Sequence, residues 1–131
     1  MVESGNRSNS KAMFWVGWIL SGLTGALLLL SGALKFMPAN PETEQALQHI
    51  GWRPDQVGTL GILEVACAIL YLIPQTAVFG AILVTGYMGG AIATHLRIGD
   101  PLIMQTIIPI VVWLGLWLRE PRLREILPLR K

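Results

Sequence analysis

The chain has 131 residues, of which 53% are hydrophobic and only 14% charged, with a mean hydropathy of +0.55. That is room for one domain, and a charged fraction well below the roughly one quarter of soluble domains points to a lipid-facing surface. The net charge of +2 does not indicate nucleic acid as a partner, because the basic residues gather at the two ends of the chain instead of along one face. The lone cysteine, Cys67, excludes an intrachain disulfide, a CxxC redox pair and a thiolate metal site; in its apolar run it reads as an inert, packed thiol.

The uncharged stretch from Ala12 to Leu34 supplies the about 20 residues that a membrane span needs, and predicts a first helix over about 12–35. It is too long for a signal-peptide core, and Gly32-Ala33-Leu34-Lys35 is a poor cleavage site, so the helix is expected to be retained. Residues 36–55 follow as an outer loop. Within it Asn40 can cap a short helix that starts at Pro41 and ends at Gly51. Ala46, Leu47 and Ile50 share one face of that helix, which is expected to rest on the membrane surface.

From Gln56 to Leu96 the only acid is Glu64 and the only imidazole His95. Pro74-Gln75-Thr76 divides this run, because proline lacks an amide donor and disfavours helix in the residue before it. The second and third helices are then predicted over about 56–73 and 76–96, as an antiparallel hairpin. A fourth is predicted over about 101–118, with Pro101 in its first turn and Pro109 as a mid-helix kink. The tail 119–131 is basic and proline-punctuated.

An even number of spans leaves both termini on one side. Arg7 and Lys11 flank the first helix, and Arg119, Arg122, Arg124, Arg130 and Lys131 follow the last, so that side is expected to be cytoplasmic. The loop 36–55 carries Glu42, Glu44 and Asp55 against Arg53, as an outward loop should. In this orientation Phe14, Trp15, Trp18, Tyr71, Phe79, Trp113 and Trp117 all fall at the cytoplasmic ends of their helices and read as one interfacial aromatic belt. The predicted architecture is an all-α, integral membrane four-helix bundle, antiparallel, in a single domain over 1–131.

Helices in lipid meet where small residues let backbones approach. Ser21, Gly25, Leu28, Gly32 and Lys35 share one face of the first helix. Gly61, Glu64, Ala68 and Tyr71 share one face of the second. Gly86 and Gly90, with Ala93 and Thr94 one turn on, mark a face of the third. These faces are expected inside the bundle, with a homodimer contact as the alternative.

Glu64 lies about two turns, roughly 10 Å, inside its helix. A carboxylate facing lipid there would cost several kcal/mol, so it is expected to face the bundle interior and to serve a proton relay or a ligand. Lys35 closes the first helix and His95 and Arg97 the third at the same depth, Gln105 lies one turn into the fourth, and Thr94 is adjacent. The candidate ligand-binding set is therefore Lys35, Glu64, Thr94, His95, Arg97 and Gln105, with Glu64 paired to Lys35 or to a protonated His95. His49 and His95 do not form a recognised metal spacing, so no metal is expected.

Ser31-Gly32-Ala33-Leu34-Lys35-Phe36 resembles the SGxxKF opening of the bacterial DoxX-like membrane proteins. The resemblance continues through Leu60-Gly61-Ile62-Leu63-Glu64, Tyr71 to Ala77, Gly80-Ala81-Ile82-Leu83 and Gly89 to Arg97, and closes with Trp113 to Arg119. It implies a four-helix bundle in the bacterial cytoplasmic membrane. The family's recurring lysine, glutamate and histidine-arginine positions map onto Lys35, Glu64, His95 and Arg97. The namesakes resemble subunits of quinone-linked oxidoreductases, and other relatives are linked to redox-stress complexes and to methylamine-dehydrogenase maturation. The resemblance therefore implies an accessory subunit of a redox or quinone-linked membrane system, with a quinone as the candidate cofactor and a membrane or redox protein as the candidate partner. A non-enzymatic small-molecule carrier and an assembly scaffold are the alternatives. No haem, flavin or iron–sulfur ligand pattern is visible.

Overall fold

A computed structural model describes the backbone of residues 2–38 and 40–130 and the side chains of residues 10–38 and 40–130. Arg7 of the basic N-terminal flank and Lys131 of the tail fall outside the described side chains. The described residues form helices and turns without a strand. In chain order these are α1 (Val2–Leu34), α2 (Pro41–Ile50), α3 (Pro54–Leu72), α4 (Ala77–Arg97), α5 (Ile103–Arg119) and α6 (Pro121–Arg124). The first helix begins ten residues before the predicted start at 12.

The breaks fall where the local chemistry demands them. Asn40 Oδ1 accepts from the Thr43 amide at 2.8 Å, and Gly51 ends α2 at φ 93°, a left-handed conformation that glycine adopts without a Cβ penalty. The Gln56 side chain accepts the Arg53 amide at 2.9 Å in front of Pro54, the first residue of α3. Pro74–Thr76 forms a single 3₁₀ turn between α3 and α4. There Thr76 Oγ1 donates to the Leu70 oxygen at 2.7 Å and takes up one of the carbonyls orphaned at the end of α3.

The fourth predicted helix starts later than expected. Pro101 stands outside it, α5 begins at Ile103, and no side chain caps its start. Asp100, two residues before the cap position Leu102, turns its oxygens to His49 and His95 instead. Pro109 lies inside α5, as predicted.

Helix α1 packs on α3 and α5, and α4 packs on the other sides of the same two. Three helices are long and apolar enough to cross a membrane: 10–34, 54–72 and, including the 3₁₀ turn, 74–97; α5 is apolar but shorter. Their outward faces are oily, with Ile19, Leu23 and Leu30 each at least 58% exposed. A water-soluble fold does not present such a surface.

The half of the bundle near the α3–α4 turn is solid. Tyr71, Ala68, Ala81, Val84, Val112 and Leu116 fill its axis. Backbones there nearly touch. A Cβ on Gly17 would stand 2.7 Å from the Gly115 oxygen, and a Cβ on Gly80 would run into the backbone of Tyr71. Further along, Gly32 meets Gly61 and Val65 in the same way. Ser21, Gly25, Leu28 and Gly32 of α1 and Gly61, Glu64, Ala68 and Tyr71 of α3 are buried as expected. Gly86 and Gly90 make no helix contact: both are exposed, a Cβ on either would meet nothing within 4 Å, and they line the open space between the helices. Helix α4 turns Ala81, Val84 and Met88 inward instead.

Of the two expectations for Tyr71, the inward stripe holds and the aromatic belt does not. It is not a lipid anchor but a core residue of 0% exposure, whose hydroxyl donates to the Val112 oxygen at 2.7 Å and shares a hydrogen bond of 3.0 Å with Ser21. A phenol buried in a bundle must find such partners. Phe14, Trp15 and Phe79 do face outward.

Candidate functional site

The other half of the bundle is hollow. A cavity of about 990 Å³ opens between α1, α3, α4 and α5, and Thr43, Leu47 and Ile50 of α2 form part of its wall. The apolar face of α2 thus turns toward the cavity, where the sequence suggested only a membrane surface. No residue of α2 is buried. The wall is mostly apolar, from Leu27, Leu28 and Leu34 on α1 through Val57 and Leu60 on α3 to Met88, Met104 and Ile108. A large apolar pocket with a few convergent polar groups is the usual form of a small-molecule site.

The polar groups that meet at Glu64 come from α3, α4 and the end of α1. Glu64, 4% exposed, projects from the inward stripe of α3. Lys35 Nζ lies 2.7 Å from Glu64 Oε2, and also donates to Ser31 Oγ at 3.1 Å and to the Ser31 carbonyl at 3.4 Å. Tyr87 of α4 donates its hydroxyl to the same Oε2 at 3.2 Å. The ion pair offsets the desolvation that an isolated carboxylate would suffer at this depth. Tyr87 was missed in the sequence, although its spacing from Ala91 and His95 puts it on one stripe of α4.

Of the six predicted site residues, Lys35, Glu64, Thr94, His95 and Gln105 line the cavity and Arg97 does not. The expected Glu64–Lys35 pair forms. His95 does not pair with Glu64: its Nδ1 lies 3.0 Å from Asp100 Oδ2, while His49 Nε2 of α2 lies 2.8 Å from Asp100 Oδ1. These two contacts, His49 foremost, hold the Asp100 carboxyl below its ordinary range. Arg97 Nη2 donates to the Ile50 oxygen at 2.7 Å and closes the end of α2. Asp100 and Arg97 thus bind α2 to the α4–α5 turn beside the cavity. No group of three or more His, Cys, Asp or Glu among the described residues is placed to hold a metal ion.

The motifs quoted above now stand in one helical frame, and a family model described as the DoxX-like family matches residues 19–118. The chain belongs to the DoxX-like family. Comparison with curated proteins and with solved structures found no match. The DoxX-like match and the apolar helices together make this a membrane protein. The matched span contains the whole cavity lining, including Lys35, Glu64, Tyr87 and His95, and stops one residue short of Arg119. Arg119 and α6 are therefore features of this DoxX-like chain outside the matched segment.

Proposed function

We propose that this protein crosses the membrane four times, as an antiparallel bundle, and holds an amphipathic small molecule in the cavity between its helices. One observation carries the reading: a cavity of about 990 Å³ with apolar walls has a charged pair, buried Glu64 with half-buried Lys35, set among them. A structural ion pair alone needs no empty space beside it. A cavity of this size accommodates a drug-sized or prenylated head group, while the exposed apolar lining residues Leu30, Leu34 and Met104 offer a tail continuity with lipid.

The 17 residues of α5 span about 26 Å at 1.5 Å per residue, near the lower limit for a crossing. Both termini are assigned to the cytoplasm from the basic flanks. The family and the cavity together favour a ligand of the quinone class, and with it the role of accessory subunit to a redox-linked system of the bacterial cytoplasmic membrane. A non-enzymatic carrier would use the same cavity without a redox partner.

Purification in a mild detergent or in native nanodiscs, followed by organic extraction and mass spectrometry, tests the reading. The expected result is a lipid-soluble molecule, quinone or otherwise, near stoichiometry with the wild-type chain and depleted in Glu64→Ala. Consistent recovery of bulk phospholipid alone from both proteins would count decisively against it.

A further inference from the structure

Around Glu64 the ammonium of Lys35 and the hydroxyl of Tyr87 have spent their donors, and the carboxylate has kept an acceptor. Lys35 carries three N–H donors, and three acceptors stand in reach: Glu64 Oε2 at 2.7 Å, Ser31 Oγ at 3.1 Å and the Ser31 carbonyl at 3.4 Å. The single O–H of Tyr87 also goes to Glu64 Oε2, at 3.2 Å. Both partners therefore converge on one carboxylate oxygen. The other, Oε1, accepts nothing from the described residues. Arg119 Nε is the one buried side-chain atom among them that is sealed off without a partner. Glu64 lines the cavity, so Oε1 keeps its access through that space.

We propose that Glu64 Oε1 is the anchor for the head of the ligand, and that the cavity selects a neutral apolar molecule bearing a hydroxyl. The proposal rests on the reading of the cavity as a ligand site and specifies the chemistry that site accepts. A ketone or ether head, an oxidised quinone included, can accept from Ser31 Oγ but leaves Oε1 unpaired, so within the quinone class the site takes the hydroxyl-bearing quinol. An anionic head is repelled by the carboxylate. A cationic head finds the carboxylate already compensated by Lys35 and meets that ammonium's repulsion. A hydroxyl donates to Oε1, and its own oxygen accepts from the proton that Ser31 Oγ retains after accepting from Lys35. A site built to hydrogen-bond a hydroxyl discriminates strongly against the analogue that lacks it, because its buried polar group is then left unpaired.

Two matched pairs of probes test this on the full-length wild-type chain in lipid nanodiscs: para-dodecylphenol against para-dodecylanisole, and dodecanol against dodecyl methyl ether. Affinity is read from ligand-dependent thermal stabilisation. The expected result is binding of the O–H member at least about tenfold tighter than its methyl ether in one or both pairs. Preference confined to the phenol assigns an aromatic alcohol, and preference confined to dodecanol an aliphatic one. In Glu64→Gln the gap is expected to close, because the amide presents N–H donors to an ether oxygen. If that variant does not fold, the wild-type pairs decide alone. Equal binding of hydroxyl and ether overturns the proposal and leaves the cavity standing as a ligand site. Failure of all four probes to bind overturns both.

Discussion

Arg119 of α5 reaches across to α3 and donates from Nη2 to the backbone oxygen of Tyr71, 2.9 Å away. Its guanidinium lies 4.1 Å from the Trp18 ring centroid and 5.1 Å from that of Tyr71. The last carbonyls of α3 are thereby satisfied in sequence: Ile69 by the Ile73 amide, Leu70 by Thr76 and Tyr71 by Arg119. Arg124 does the same for α5, donating to the oxygens of Trp117 and Leu118 at 3.0 and 2.8 Å, and Arg97 does it for α2. A cation at a helix C-terminus also meets the negative end of the macrodipole.

Replacing Arg119 by alanine removes the stacked cation and leaves the Tyr71 oxygen unpaired, at a cost of about 3 kcal/mol. Lysine keeps the charge but not the planar stack, so Arg119→Lys should lose roughly half as much. Thermal unfolding in detergent measures both. An Arg119→Ala protein as stable as wild type would show that the buried guanidinium contributes nothing net.

Glu64→Ala leaves the Lys35 ammonium without its partner. The expected loss is about 2–3 kcal/mol, below the figure for a fully buried pair because Lys35 is partly exposed and can turn toward solvent. Lys35→Met alone should cost a similar amount, and the double variant Lys35→Met with Glu64→Met should recover most of it. Strictly additive losses in this cycle would deny the coupling.

The glycines divide into two groups with opposite expected responses. Gly17→Ala forces a methyl to within 2.7 Å of backbone atoms of Gly115 and Arg119, and should destabilise by about 1–3 kcal/mol. Gly86→Ala and Gly90→Ala meet open space and should be neutral or stabilising by up to about 1 kcal/mol through helix propensity. The reverse order of stabilities would place the helix contacts elsewhere.

Asp100 gives the attachment of α2 a pH dependence of definite sign. Its folded-state carboxyl lies below the ordinary value of 3.8, so its contribution is fully present above that value and is lost as pH falls through the folded one. The charged and titratable groups around it are His49 from α2 and His95 from α4, with Arg97 of α4 bonded to α2 nearby. Amide hydrogen exchange in α2 should accelerate below about pH 3.8 and, at neutral pH, in His49→Ala. Exchange rates in α2 unchanged by either treatment would mean that Arg97 and the chain connections hold it alone.

Much of the frame is written locally. Uncharged runs, the Pro74 break and the Asn40 and Gly51 caps suffice for the order of the helices, because span length, proline sterics and capping are near-neighbour properties. The Glu64–Lys35 pair was legible for a related reason: a carboxylate deep in a span must find a partner, and depth narrows the choice. Tyr87 escaped because a phenol in a span is satisfied by lipid interface and by bundle interior alike, and spacing alone does not separate them. The same ambiguity hid Tyr71 in the aromatic belt. Gly86 and Gly90 misled because small-residue spacing specifies that a face can pack closely, not that a neighbour arrives.

The sequence by itself therefore determined that the chain is helical and membrane-bound, where its helices break, and that Glu64 faces inward toward Lys35 or His95. Only the tertiary structure decided that the bundle is solid at the Tyr71–Arg119 end and hollow around Glu64. It also decided that His95 belongs to Asp100 and not to Glu64, and that the arginines following the helices serve as caps. Those outcomes depend on which side chains of distant segments come within 3 Å of each other, and hydrogen bonds and packing are settled at that range, beyond the reach of periodicity or charge.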